Sequence, residues 1–547
     1  MPRLDPDDSH RPNFMHHPTR PTALSRRGMV SSPHYLASAA GQDILRQGGS
    51  AVDAAIAVNA TLGVVFPHMT GIGGDAFWLI HSHGADRPIA LNGSGRAVGS
   101  ASRDSYRARN LDTIPHRGAL AAVTVPGAVD SWCMAHARYG RLPLSALLAP
   151  AIEHARDGYP VGESQARFTA ECVDVLRGCA LASDQFMPGG RAPEAGELMR
   201  HPTLADTLEA IARFGRAGFY EGEVAAEIVR HLGTLGQQWT ASDLANHRGD
   251  WAEPLSTRYR GVDCYQTPPN SQGFAHLIML NILAHFDVAG LRDKPAEYVH
   301  LLVAATREAF AVRDRYLTDP VFHDIPLPRL LSKAFAGECA ERIKQGLPNA
   351  YQARPAGGDT TATMVVDGQG NAVSLIQSIY HEWGAATMAG DTGVLLQNRG
   401  AFFSLDDAHV NRLEPGKRSF HTLMPGMAYR DGRPWLVYGT MGGEGQPQTS
   451  TALLTRMLDF GLDPQRAIDA PRWLYGRSWG TATDALRVES RFDAAIDTRL
   501  AAHGHEVCRV GDWDGVMGHA AAIRIDAATG VLHGAADPRG EGIALGW

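Results

Sequence analysis

Between Gly357 and Asp367 the chain reads Gly-Gly-Asp-Thr-Thr-Ala-Thr-Met-Val-Val-Asp. A glycine pair and an acid lead into a β-prone run that opens on Thr360. Thr361, Thr363, Val365 and Val366 are β-branched and suit a half-buried strand. A hydroxyl is a weak nucleophile until a base takes its proton. Cutting the Asp359–Thr360 bond would place an α-amine, of reference pKa about 7.7–8.0, beside the Thr360 hydroxyl. Threonine with its own N-terminal amine is one known form of the nucleophile–base pair. Read alone, the same residues also describe an ordinary loop-to-strand junction.

A second stretch could serve the same chemistry. Gly439-Thr-Met-Gly-Gly-Glu-Gly445 follows a strand-like run, and Gly442-Gly443 leaves backbone N–H groups open to a developing oxyanion. Well-aimed donors of that kind contribute roughly 3–4 kcal/mol. A strand-to-helix turn would need the same residues. The 24 histidines form no His-Glu-x-x-His or Cys/His cluster, so neither a metal nor a cofactor is expected. Gly71-Ile-Gly-Gly74 precedes a strand rather than a helix. It offers no helix N-terminus to a phosphate and reads as a tight turn.

These residues need elements to hold them. Residues 1–28 are polar and read as a loose arm. Ser32-Pro33 is a plausible helix start, with that helix ending near Gly48-Gly49, and Asp53–Val65 is an alanine-rich buried helix. From Pro126 to about Gln345 apolar residues recur three and four apart, predicting helices interrupted by a strand-like interlude at Leu255–Gln266. Residues 346–358 read as an exposed linker. Beyond Thr360 the pattern turns to strands, at 360–366, 372–379, 425–430 and 434–439, the last two forming a hairpin through Asp431-Gly432. Helices are predicted near 446–460 and 463–470, and further strands at 485–489, 505–510, 519–525 and 530–535. A helix-rich first part and a strand-rich second part suit a layered α/β sandwich.

Composition narrows the class. With 44% hydrophobic and 20% charged residues the chain is an ordinary globular protein. A net charge of −7 and the lack of a Lys/Arg run argue against nucleic acid. The most apolar run, residues 51–66, contains Asp53 and Asn59 and falls short of the ~20 residues of a membrane span. Six cysteines without Cys-x-x-Cys spacing fit a reduced, cytoplasmic setting.

Several stretches taken in order resemble one family. Gly28-Met-Val-Ser-Ser32, Ile44-Leu-Arg-Gln-Gly-Gly-Ser-Ala-Val-Asp-Ala-Ala55, Gly71-Ile-Gly-Gly-Asp-Ala-Phe77, Asp359-Thr-Thr361, Asn371-Ala-Val373, Gly393-Val-Leu-Leu396, Met441-Gly-Gly443 and Asp469-Ala-Pro-Arg472 resemble the gamma-glutamyltransferase (glutathione hydrolase) family. The likeness covers nearly everything beyond residue 28, and the chain looks closer to the outlying branches that contain cephalosporin acylases and an oxamate amidohydrolase. It implies a four-layer αββα sandwich of the N-terminal-nucleophile hydrolase type, with a large helical part in the N-terminal segment. It also implies self-cleavage into a large subunit, 29–359, and a small one, 360–547, that stay together; any further oligomer is left open. The implied partner is a small-molecule acyl amide, with no nucleic acid and no membrane.

The resemblance puts the nucleophile at Thr360, with Thr361 the alternative. Adjacent strand residues face opposite sides, so only one can face a given site. It puts a helper hydroxyl at Ser378, with Tyr380 two residues on in place of an asparagine, and the oxyanion pair at Gly442 and Gly443. His421 and Thr422 replace two serines and remain hydrogen-bond donors. Three departures bear on the substrate. The arginine that grips the glutamate α-carboxylate falls on Ser94, with Arg96 two residues along. The glutamine and aspartate that hold the α-amine fall on Arg399 and Phe402, neither of which accepts a hydrogen bond from an ammonium. The expected substrates are gamma-glutamyl or similar acyl amides, with glutaryl or oxamate-like amides, or an unprocessed binding protein, as alternatives.

Overall fold

The computed structural model describes residues 18–347, 351, 359–476 and 484–547. Alternation along each strand sorts its side chains into layers. In Asp359–Val366, Ala362, Met364 and Val366 join one apolar cluster while Val365 joins another. In Asp75–His81, Phe77 and Leu79 face the first cluster, and Ala76, Trp78 and Ile80 the second. The period of two thus fixes one face for a partner sheet and one for helices.

Two seven-stranded sheets result, every neighbouring pair antiparallel. One runs Ile543–Gly546, Met29–Ser32, Asp359–Val366, Ala372–Tyr380, Asp75–His81, Ile89–Gly93, Asp250–Ala252. The other runs Ala23–Ser25, Leu532–Ala536, Ala520–Ile525, Arg433–Thr440, Gly426–Arg430, Val262–Gln266, Leu255–Tyr259. Met364, Ile376, Met427, Val437 and Ile523 fill the space between them. Burying each such side chain contributes about 1.5–3 kcal/mol. Tyr35–Arg46 and the wholly buried Ala51–Val65 cover the outer face of the first sheet. Gly273–Leu283, Pro295–Tyr316 and Gln446–Leu458 cover the outer face of the second. The order of layers is helix, sheet, sheet, helix, as the family resemblance implied.

Segments before and after residue 359 alternate within both sheets. Met29–Ser32 lies between Ile543–Gly546 and Asp359–Val366, and Val262–Gln266 pairs with Gly426–Arg430. The long helical stretch and the hairpin through Asp431-Gly432 are where the sequence put them, and the strand-like interlude at 255–266 is a hairpin. Asp431 and Gly432 both have positive φ, 52° and 73°, as a two-residue hairpin of primed type needs.

Three local expectations change. The loose arm is docked over its described part. Ala23–Ser25 pairs with Leu532–Ala536, whose backbone would otherwise be an open edge, and Thr19 donates its N–H and hydroxyl to Asp469 Oδ2 at 2.7 and 3.0 Å. Ser32 ends a strand instead of capping a helix; its hydroxyl bonds Ser38 and the His34 carbonyl, and His34 Nδ1 caps the helix by accepting from Leu36 N–H. The linker expected over 346–358 lies mostly outside the described residues, but Tyr351 is buried with its ring edge-on to Phe310. Among the described residues no helix is long and apolar enough to cross a membrane.

Candidate active site

Thr360 and Thr361 are both buried, and strand parity separates them. Thr361 donates its hydroxyl to the Gln377 carbonyl at 3.1 Å, and Thr363, on the same face, accepts from Asn59 of the outer helix layer. Thr360 has the parity of Ala362 and Met364, the residues between the sheets. The ladder with Ala372–Tyr380 slips between the pairs Asp359–Tyr380 and Thr361–Gln377. The bulge lies on the partner strand, where Ser378 and Ile379 together face Thr360, and bulges commonly re-aim side chains beside active sites. Ser378 shares the inter-sheet parity of Ser374 and Ile376. Its Oγ accepts from Tyr380 N–H at 2.7 Å, and Tyr380 is held at φ +83°. Asp75 stands opposite Ser378 on the next strand.

The glycine run before Asp75 is explained by this crowding. A Cβ on Gly74 would sit 2.2 Å from the Ser378 carbonyl, so the turn can pass there only as glycine. Gly442 follows the end of Arg433–Thr440, a strand of the other sheet, at φ +120°, a conformation side chains rarely adopt, and Gly443 follows at φ +51°. Their turn is tied to the facing segment by Gln272, whose Nε2 donates to Gly443 O at 3.0 Å and to Thr422 O at 2.8 Å.

Arg399 is buried, 1% exposed. Its guanidinium carbon lies 4.3 Å from the Tyr380 ring centroid and 5.3 Å from that of Phe402, and its Nη1 donates to Thr422 Oγ1 at 3.2 Å. Among the described residues its Nε and Nη2 have no hydrogen-bond partner. Burial pushes this guanidinium down to about 10, with Tyr380 and Asp75 opposing, so it stays charged at neutral pH.

Asp75 is the acid nearest in role to a counter-charge, but its oxygens are occupied. Oδ1 accepts from Gly95 N–H, Gly127 N–H and Gln397 Nε2 at 2.9, 3.1 and 2.9 Å, and Oδ2 meets His421 Nε2 at 3.1 Å. Burial alone would raise its carboxyl; the bonds from His421 and Gln397 and the nearby Arg399 outweigh it and hold the group below the ordinary aspartate range. His421 is driven the other way. Burial and the Arg399 charge push it down to about 3, so it is neutral. Its Nδ1 accepts from Leu423 N–H at 3.3 Å, which fixes the proton on Nε2, facing Asp75. Both ring nitrogens are therefore used inside the protein. The expected role of His421 as a donor to substrate gives way to one of holding Asp75, because the sequence did not reveal its partner.

The structure brings Ser378, Tyr380, Arg399, His421, Thr422 and Gly443 into one bonded or stacked group, with Thr360 opposite Ser378. Arg96 is not part of it. Its guanidinium is a third exposed and meets Asp250 and Asp319, each at 3.4 Å. Ser94 is bonded to Asn92 and Asn270.

The buried neutral histidines carry a testable consequence. His421 and His276 are held near 3 and His519 near 4, against 6.5 in an unfolded chain. Between those values the unfolded chain binds more protons, so stability falls as pH drops below about 6.5, by about 1.4 kcal/mol per pH unit for each histidine. Urea melts from pH 7 to pH 4.5 should show a steadily falling midpoint. A flat profile would mean these imidazoles are not buried neutral.

With the geometry in hand, the family model described as Gamma-glutamyltranspeptidase matches residues 37–547. The chain belongs to the gamma-glutamyltranspeptidase family. Within that family it is 51% identical over 525 residues to a Bacillus subtilis (strain 168) protein named glutathione hydrolase-like YwrD proenzyme, covering 96% of this chain and 99% of the relative. It is 42% identical over 531 residues to the oxamate amidohydrolase proenzyme of Klebsiella pneumoniae, covering 96% and 99%. The crystal structure of cephalosporin acylase from Bacillus halodurans superposes with a TM-score of 0.90 at 36% identity, covering 100% of this chain and 99% of that one. Like those gamma-glutamyltranspeptidase relatives it is a hydrolase of mixed helices and antiparallel sheets. Asp75 and Gln272 escaped the sequence reading. The available signals were an acid opening an otherwise apolar strand, and an amide just before an apolar helix.

Proposed function

We propose that this family member cuts itself between Asp359 and Thr360 and then hydrolyses short acyl amides whose acyl group ends in a carboxylate and carries no α-ammonium. Thr360 Oγ attacks the amide carbonyl while its proton passes to the new α-amine. Ser378 assists, and the N–H groups of Gly442 and Gly443 receive the oxyanion. The amine leaves with that proton, an ester to Thr360 remains, and water hydrolyses it to free acid and regenerated hydroxyl. Tyr380, Arg399 and Thr422 line the acyl end.

The observation that carries the substrate class is the Arg399 guanidinium, buried against the paired rings of Tyr380 and Phe402 with two N–H-bearing nitrogens unmet among the described residues. A carboxylate satisfies such a fork, ideally through two parallel bonds. An ammonium placed beside it meets a like charge, rings already engaged by the guanidinium and an aspartate already filled by four donors. The name of the oxamate amidohydrolase relative supports an acyl group of this kind. A reduced, cytoplasmic setting suits the six cysteines, none of which is paired.

Glutaryl and gamma-glutamyl anilides assayed side by side test this, with and without glycylglycine. The glutaryl anilide should be hydrolysed at least as efficiently, and the dipeptide should raise product release little. A preference above about tenfold for gamma-glutamyl, or roughly 1.4 kcal/mol in the transition state, would overturn the substrate class. So would a large acceleration with the acyl-dipeptide as main product.

A further inference from the structure

One side chain spans the two halves of the site. Gln272 is fully buried, at the start of the Gly273–Leu283 helix. Its Nε2 donates to Gly443 O in the glycine turn and to Thr422 O in the segment whose hydroxyl meets Arg399. Its backbone N–H also donates to His421 O at 2.9 Å. Its Oε1 accepts from Arg313 Nη1 at 2.9 Å, and since arginine only donates, the amide cannot be flipped. Arg313 is itself buried, 3.8 Å from the Phe310 ring centroid, and meets Glu444 beside the glycine turn at 3.3 Å. A single amide, clamped from behind, therefore fixes how far the oxyanion turn stands from the Arg399–Thr422 pair.

We infer that Gln272, held by Arg313, is a positioning residue that sets which acyl-chain length the enzyme accepts, a role that rests on the reading of Arg399 as the carboxylate partner. An amide carbonyl held at the glycine turn and a carboxylate held at Arg399 are joined by the acyl chain alone. With the two receivers fixed, only one chain length reaches both without strain. With the tether released, Thr422 and the glycine turn relax independently and the site tolerates neighbouring lengths less selectively.

The test compares kcat and KM for oxalyl, malonyl, succinyl, glutaryl and adipyl anilides on wild type, Gln272→Glu and Gln272→Met. Glutamate keeps a partner for Arg313 but has no N–H to give either carbonyl; methionine is close in volume and neutral, so a fold upset by a buried carboxylate does not end the experiment. Wild type should peak at one length, with neighbours about tenfold or more lower, the scale on which a pocket senses one methylene. Both variants should lose about 30-fold in kcat on the preferred anilide and less than about threefold on the others, flattening the profile, with melting midpoints measured alongside. A uniform loss across all lengths, or an unchanged peak, overturns the inference while leaving the proposed function standing. If wild type turns over no member of the series, the proposed function falls and this inference with it.

Discussion

On a denaturing gel, wild-type protein is expected to separate into two chains, residues 1–359 and 360–547, roughly two thirds and one third of its 58.8 kDa. Thr360→Ala should remain a single chain and lose hydrolysis by about 10⁶-fold, the scale seen when a hydroxyl nucleophile is removed. The strand geometry sharpens this. Thr361 turns toward the helix layer and spends its hydroxyl on Gln377 O, so Thr361→Ala should still be cut. Thr360 sits at a ladder slip beside Ser378, where Asp359 is the last residue before it in the strand. If wild type stays whole after long incubation, or if Thr361→Ala alone blocks cutting, Thr360 is not the nucleophile.

Arg399→Gln should lower kcat/KM for the glutaryl anilide about 100-fold, near 2.7 kcal/mol, the worth of a charged hydrogen-bonding partner to a bound carboxylate. The gamma-glutamyl anilide should change by less than about threefold, since the substitution also removes a charge that repels its ammonium. The ratio therefore moves toward gamma-glutamyl. The melting midpoint provides a control. A buried cation with no bonded acid among the described residues is a strain on the folded state, so replacing it should leave stability unchanged or raised. Equal losses on both substrates together with a lowered midpoint would show Arg399 to be structural.

How much of this was legible in the sequence depends on range. A β-branched run and an apolar run exposed the strands around Thr360 and Ser378, and the Asp-Gly turn exposed its hairpin, because these signals are local. Ala23–Ser25, Ile89–Gly93 and Ile543–Gly546 carry no β-branched run and are held by pairing with neighbouring strands. Ser32-Pro33 carried a helix-cap signature, yet the strand Met29–Ser32 claimed the serine. In the site, residue types marked Thr360 and the glycine pair, and the family resemblance marked Arg399. They could not show that Arg96 is taken by Asp250 and Asp319, that His421 is spent on Asp75, or that Gln272 joins two segments. Each of those depends on partners more than a hundred residues away.

The alternation of early and late segments within both sheets has a consequence for the protein's history. A chain opened at Asp359–Thr360 would keep its two pieces laced together, since Met29–Ser32 is hydrogen-bonded on both sides by strands of the later piece. Separation would demand the breaking of both sheets at once. The uncut chain folds as one molecule, at a rate independent of dilution. Once cut and denatured, its pieces must find each other again, so recovery becomes second order and fades at low concentration. The cut would thus act as a ratchet. The enzyme's persistence after it would be a matter of how slowly it unfolds, and a spent molecule would have no route back to the state in which it was made.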